Sequence, residues 1–453
     1  MLKKIISLFI ILNSYALPQE FGMGLLLDDS LYANSPTAAP LMRGDYSDLP
    51  KSSSLKDKCP TPGYQGQYGT CAGWSTAFAG RTILEALKNN WDQATIDENA
   101  FSPSFVYNQI RLTSGCSGGT SLVDALDVIK DQGALKLDDF EYECEREVTP
   151  TDKKNAEEYR IIEYREIIED NTPDKTKYVK KSIAEGRPVV IAFDCPPTFG
   201  YAGEVLEVDP SDYKEWGRGH GITVIGYDDD KFGGAFELIN SWGTGWGNGG
   251  FTWIKYADFN YFCKYGFEMI DKSVPPPQTD DLSGSLQFTE SNGDVMKAKF
   301  NGNYFKVEKP MPSGALFELR ISNNEPAYVY AFSSDLTFKT YKIFPFDERM
   351  VAYLPYRQNN IAIPDEESFM MLDETPGRSY FCFLYSKESL EINKIMAEIE
   401  ITDGNFWERI NKVLGDKLVL KENIKYNSGE EISFRGRSEG KSIIPVLVEI
   451  DHR

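Results

Sequence analysis

The chain has 453 residues, 41% of them apolar and 13% aromatic, so it has room for two or three domains with sizeable cores. The formal charge is −21, with acidic residues spread along the whole chain, which argues against nucleic acid as a partner because phosphates would be repelled. Such a charge is ordinary for an exported protein that must stay soluble.

Residues 1–16 read as a secretory signal peptide. Met1-Leu2-Lys3-Lys4 is basic and Ile5 to Leu12 is apolar, and Ser14 and Ala16 are small residues suited to cleavage after Ala16. The apolar run is too short to span a bilayer, and no other stretch is long enough for a transmembrane helix. Residues 17–48 show little periodicity and are expected to be a short pro-segment or an extended arm. Leu25-Leu26-Leu27 is apolar enough to fill a pocket, but no amphipathic helix there would let the segment fold alone as an inhibitor.

From Cys71 onward, Trp74, Ala77, Phe78, Ile83, Leu84 and Leu87 fall near helical spacing behind Thr70, a suitable N-cap. A capped helix is expected over 101–108 with Pro103 in its first turn, and an amphipathic one over 120–130 that ends before Gly133. Beyond residue 158 the pattern turns to strands, at 159–167 and 188–193, with a helix at 175–185 between them. Residues 273–282 are a proline-rich linker. Residues 283–453 have regular strand texture at 314–321, 327–332, 380–386 and 442–450, a helix at 405–414, and turn chemistry between. They are expected to form a separate β-sandwich without a catalytic constellation.

Cys71, as the first residue of a helix, meets free N–H groups that favour thiolate over thiol. Such a thiolate is a nucleophile if a histidine pairs with it, and the chain has only two. His452 is penultimate, in an end expected to be solvated. His220 lies in Gly219-His220-Gly221-Ile222-Thr223-Val224-Ile225-Gly226-Tyr227, a buried-strand pattern. The following motif, Asn240-Ser241-Trp242-Gly243, supplies an amide to orient an imidazole and an indole to shield the bond from water.

These stretches resemble the papain-like cysteine peptidases over about residues 49–272. The resemblance implies an α+β fold, with a helical lobe and a β-barrel lobe around a cleft where Cys71 and His220 meet. It makes Cys71 the nucleophile, His220 the general base, Asn240 the orienting amide and Gln65 an oxyanion donor. It also places Gly118, Gly119, Gly219 and Trp242 along the substrate groove, with the second glycine of Cys116-Ser117-Gly118-Gly119 allowing close backbone approach. The chain departs from the pattern at Ala72, where tryptophan is usual, and at Gly219, where aspartate is common. Tyr68 replaces a half-cystine, and Tyr107-Asn108 occupies a region that usually holds another. A folded inhibitory prodomain has no room, since residues 17–48 are the only space for one. Residues 341–345 and 361–364 are similar to a bacterial domain of unknown function that follows peptidase domains.

With Cys71 reserved, six cysteines remain. Cys382 sits in an apolar strand and reads as a buried free thiol. Cys263 resembles a family half-cystine with Cys195 as the nearby candidate, and Cys59, Cys116 and Cys144 compete for one bond. The lack of any Cys-x-x-Cys pair speaks against zinc, and no metal or cofactor is expected. The expected function is an exported cysteine peptidase acting on peptide or protein substrates, with the C-terminal domain supporting it or binding an unidentified partner. The alternatives are an inactive papain-like binding module, motivated by Ala72 and Gly219, and a cysteine-dependent amidase or acyl transferase on a non-protein substrate.

Overall fold

A helix from Cys71 to Asn89 carries the candidate nucleophile and widens into π-helical turns over Trp74–Arg81. The computed structural model describes residues 21–214, 217–271 and 280–453; the expected signal peptide and residues 273–279 of the expected proline-rich linker lie outside them. The widening coincides with hydroxyls that bond to carbonyls of the preceding turn, Thr76 to Ala72 at 2.6 Å and Thr82 to Ala77 at 3.5 Å. Gly80 lies in this stretch, where an added Cβ would fall 2.3 Å from Met269, so the helix rests directly on the sheet behind it.

Two capped helices complete this lobe. Ser102 accepts the Phe105 N–H ahead of Pro103–Ile110, and Ser121 accepts that of Asp124 ahead of Leu122–Asp131. Their apolar faces bury Phe105, Val106, Leu122, Leu126 and Ile129 with Ala72, Ala77 and Leu84.

The second lobe is an antiparallel sheet. Its order is Glu163–Ile168, Cys263–Ile270, Val189–Cys195, Arg218–Asp228, Ala235–Ile239 and Phe251–Lys255, with Ser52–Ser54 also paired to Arg218–Asp228. Val189, Ile191, Phe193, Ile222, Val224, Leu238 and Ile254 fill its core. The strand expected from residue 159 begins at Glu163, because a capping box of Thr149 and Asp152 starts a helix at Pro150–Ala156 and a 3₁₀ turn follows.

The C-terminal region is two stacked β-sheets. One contains Thr340–Phe344, Ala327–Ser334, Gly377–Ser386, Ile443–His452, Phe305–Val307 and Ala298–Phe300 in that order, with Tyr353–Leu354 also on Ala327–Ser334. The other contains Asn359–Ile363, Leu316–Asn323, Leu282–Glu290, Ile432–Gly436 and Ile424–Asn427, with Met370–Met371 also on Leu316–Asn323. Phe288, Leu319, Ile321, Phe381, Phe383, Val446 and Val448 pack between them. Helices Ile392–Ile401 and Phe406–Leu414 cover the outer face of the first sheet. The first of these is absent from the sequence reading, because its isoleucine-rich run carries a strand-like composition.

His452 is buried rather than solvated. It ends the central strand Ile443–His452 and is held between the hydroxyls of Ser313 and Ser379 at 3.0 and 3.2 Å.

The two parts also share buried contacts. Glu268 of the peptidase-side sheet accepts bonds from Tyr356 at 2.6 Å and Ser182 at 2.8 Å, and pairs with the buried Arg165. Burial works to raise the Glu268 carboxyl, but Arg165 and Arg187 hold it below its ordinary value. Ile270 joins the apolar cluster under the C-terminal helices.

Candidate active site

Cys71 is fully buried at the helix start, where the first backbone N–H groups lack partners within the helix. Thr70 does not cap it through its side chain. The Thr70 hydroxyl instead bonds to Tyr142 at 2.8 Å, and Tyr142 donates onward to the Gln65 carbonyl at 2.8 Å. The N–H groups of Cys71, Ala72 and Gly221 are therefore free to point at the sulfur, and that of Gly24 joins them.

His220 enters on the strand Arg218–Asp228, next to Gly221, where an added Cβ would lie 3.1 Å from the Cys71 carbonyl oxygen. Its Nε2 lies 2.8 Å from Asn240 Oδ1. The same oxygen accepts the Ser241 N–H at 2.8 Å, which marks it as the acceptor and gives Nε2 the proton. His220 Nδ1 is then an unprotonated base, buried and without a hydrogen-bond partner among the described residues. Trp242 packs over the imidazole with ring centroids 4.8 Å apart.

Gln65 is buried and held from both ends of its amide. Ser241 Oγ donates to its Oε1 at 2.5 Å, and its Nε2 donates to the Tyr68 carbonyl at 2.8 Å. Gly119 lines the opposite wall, whereas Gly118 faces Thr113. Tyr107 donates its hydroxyl to the Gly118 carbonyl, and Cys116 is disulfide-bonded to Cys144. Cys59, Cys195 and Cys263 are free buried thiols. The Cys195–Cys263 pairing fails on register: Phe193 stands opposite Cys263, and Cys195 lies two residues further along. Cys382 is a buried free thiol in its strand.

The groove is filled by the chain's own arm. Gly22 N–H donates to Gly66 at 3.1 Å, Leu25 N–H to Gly219 at 3.0 Å and Leu26 N–H to Thr120 at 3.0 Å, while Thr120 N–H donates to Gly24 at 2.9 Å. Phe21 stacks on Trp242 at 4.3 Å, and the Trp242 indole N–H donates to the Gly22 carbonyl at 3.2 Å. Glycine is required where the arm presses in. A Cβ on Gly119 would lie 2.2 Å from the Gly24 oxygen, and one on Gly219 would lie 2.0 Å from the Leu25 oxygen. The sequence pattern did not reveal this course, because residues 21–27 have no periodicity of their own; the leucine triplet and Gly22 and Gly24 were the available signals. Ser241 and Tyr142 were also missed, since each acts through Gln65 from a distant point in the chain.

Burial sets the charge state. It pushes the Cys71 thiol up, only partly offset by the surrounding N–H groups, and pushes His220 down to about 4 despite the Asn240 bond. The arm-filled site therefore holds a neutral thiol and a neutral imidazole, not the ion pair that helix-end chemistry predicts. Among the described residues no group of three or more His, Cys, Asp or Glu side chains is arranged to hold a metal ion, and no helix is long and apolar enough to cross a membrane.

With this geometry, residues 53–269 match the family model described as papain family cysteine protease. They form a papain-family peptidase domain. Chicken (Gallus gallus) cathepsin K is 29% identical over 193 residues, covering 42% of this chain and 53% of that protein. Cysteine proteinase 3 of Entamoeba histolytica is 26% identical over 204 residues, covering 45% of this chain and 61% of its own length. The chain thus spans about half to three-fifths of the curated relatives it matches. Among solved structures, xylellain, a cysteine protease from Xylella fastidiosa, aligns at 18% identity and a TM-score of 0.46, covering 56% of this chain and 97% of that one. The papain-family domain contains every site residue described above except those of the arm.

Proposed function

We propose that the chain is an exported cysteine peptidase that hydrolyses peptide bonds through Cys71, His220 and Asn240, and that residues 21–27 keep it latent. The observation that carries this reading is the unpartnered His220 Nδ1, left basic by the Nε2 bond to Asn240 and buried beside the strand position that touches Cys71. Once the arm leaves, water and the free N–H groups stabilise charge, and the Cys71 proton passes to His220. The thiolate attacks a peptide carbonyl carbon, and the oxyanion is met by the Cys71 N–H and the Gln65 amide, each such donor contributing about 3 kcal/mol in comparable sites. His220 returns the proton to the leaving amine, and water, deprotonated by His220, releases the acyl group.

The arm is a plug and not a substrate, because it offers the sulfur the Gly24 N–H where a substrate must offer a carbonyl carbon. Ala72 and Gly219 do not disable the site on this reading, since Gly219 is where a backbone must pass closely. The units are a signal peptide over 1–16, an arm over 17–48, the peptidase over 49–272, a linker over 273–282 and the accessory β unit over 283–453. The Cys116–Cys144 disulfide supports an oxidising, extracellular destination.

The test compares the full chain with one beginning at Leu49 on a proteome-derived peptide mixture, read by mass spectrometry. New peptide termini from the shortened protein, absent in its Cys71→Ala variant, are expected. Turnover confined to non-peptide amides or esters would move the assignment to the acyl-transfer class, and no turnover at all would leave a binding module.

A further inference from the structure

The plug is too short to fold alone, so something else must hold it, and the chain behind it leads to the C-terminal sandwich. Asp29–Tyr32 forms one helical turn, with Tyr32 stacked on Tyr265 at 4.0 Å and its hydroxyl donating to the Leu26 carbonyl at 2.7 Å. Beyond it the arm becomes a bridging strand between the two halves of the molecule. On the peptidase side, Ala38 N–H donates to Glu166 at 3.0 Å and Glu166 N–H to Pro36 at 2.7 Å. On the sandwich side, Thr37 N–H donates to Arg349 at 2.8 Å and Val351 N–H to Thr37 at 2.9 Å. Ala39 is 3% exposed within the sandwich core, and Met42 N–H donates to Asn360 at 2.8 Å. Asp45 accepts both the backbone and side-chain N–H groups of Asn360, at 2.8 and 2.7 Å.

We propose that the C-terminal sandwich serves as the anchor of the plug, so that the accessory unit sets how often the active-site groove opens. This rests on the reading of residues 21–27 as an inhibitory plug. Three features of the junction support it. The sandwich contributes backbone pairs on one edge of the arm, which would leave unpaired groups on both sides if the arm departed. A cavity of about 200 Å³ remains between the arm, Arg165, Glu166 and Tyr356, and Arg165 Nη1 and Glu166 Oε1 have no hydrogen-bond partner among the described residues. Such an underpacked, undersatisfied seam opens more readily than a domain core. Finally, the bridge at Thr37, which the sandwich holds together with Glu166, shortens the free loop behind Leu27 from 25 residues, counted to the strand that starts at Ser52, to 10 residues. Loop closure alone then favours the docked plug by about fourfold, before any benefit from the ordered turn at Asp29–Tyr32.

The test loosens the anchor from the arm's side, where nothing belongs to the peptidase domain. Ala39→Asp places a carboxylate in the sandwich core, and Asp45→Ala removes the two bonds to Asn360. Each is made in the full chain on a Cys71→Ala background and read by amide hydrogen exchange. Faster exchange at 22–27, by about fourfold or more and alongside that at 33–45, is expected for Ala39→Asp, with a smaller change for Asp45→Ala. Unchanged exchange at 22–27 while 33–45 opens would overturn the proposal, because the plug would then hold without its anchor. Cys71-intact forms of the same variants should react faster with an epoxysuccinyl probe. If exchange rises but the Cys71-intact full-length variants cleave no peptide, the anchor stands and the peptidase assignment fails instead.

Discussion

Tyr32 offers the sharpest handle on latency. When the plug is docked, its ring is 1% exposed and stacked on Tyr265, and its hydroxyl closes the turn onto Leu26. When the plug is out, that ring has no reason to stay buried, so nearly all of its packing energy falls on the docking equilibrium. Truncating a buried aromatic to alanine costs roughly 3–5 kcal/mol. At about 1.4 kcal/mol per tenfold, Tyr32→Ala should raise the open fraction between about a hundredfold and a few thousandfold. Tyr32→Phe keeps the stacking and loses one hydrogen bond, worth about 1 kcal/mol, so about fivefold is expected. The assay is the initial rate of epoxysuccinyl labelling of Cys71 in the full chain, with the chain beginning at Leu49 as the open reference. The order expected is wild type, then Tyr32→Phe, then Tyr32→Ala, approaching the reference. Equal rates for all three full-length proteins, all slow beside the reference, would refute the reasoning: residues 21–27 would then be held by contacts independent of Tyr32.

Other outcomes follow from the same geometry. In the chain beginning at Leu49, Cys71→Ala and His220→Ala should abolish turnover, whereas Asn240→Ala should lower kcat by roughly ten- to a hundredfold, since one hydrogen bond to a charged ring is lost; an unchanged pH profile for Asn240→Ala would rule out its orienting role. The docked plug holds His220 near 4, below its ordinary value of 6.5, so this contribution to docking is complete above pH 6.5 and is lost as pH falls towards 4. With only two histidines in the chain, the imidazole C2–H resonances of the full-length protein can be followed directly, and one that stays neutral to below pH 5 is expected for His220. Glu166 has the opposite sign: burial pushes its carboxyl from the ordinary 4.5 up to about 8, so its contribution to the seam is full below about 4.5 and is lost as pH rises from there to about 8, and Glu166→Gln should remove this pH dependence in amide exchange at 36–38. Replacing Cys116 and Cys144 by serine opens a loop with a sequence separation of 28 and should cost roughly 3.5 kcal/mol of stability, seen as a lower Tm.

What the sequence alone determined is local in character. The position of Cys71 at a helix start, the capped helices after Ser102 and Ser121, and the strands flanking His220 and Asn240 follow from cap residues, apolar spacing and glycine punctuation within a few residues of each site. Those signals survive tertiary context because the backbone bonds they describe are made within one element. Where a side chain had a better distant partner, the local expectation failed: the Thr70 hydroxyl leaves the helix end for Tyr142, 72 residues away. Cysteine pairing depended on strand register and loop approach, which put Cys116 beside Cys144 and kept Cys195 from Cys263. The arm is the clearest case. Residues 21–48 carry little pattern, because apart from the short turns at Asp29–Tyr32 and Arg43–Tyr46 their backbone groups pair with Gly66, Thr120, Glu166, Gly219, Arg349, Val351 and Asn360. A segment most of whose partners lie elsewhere in the chain takes its course from the assembled structure, and it adds to the burial that sets the charge of the groups the motifs identified.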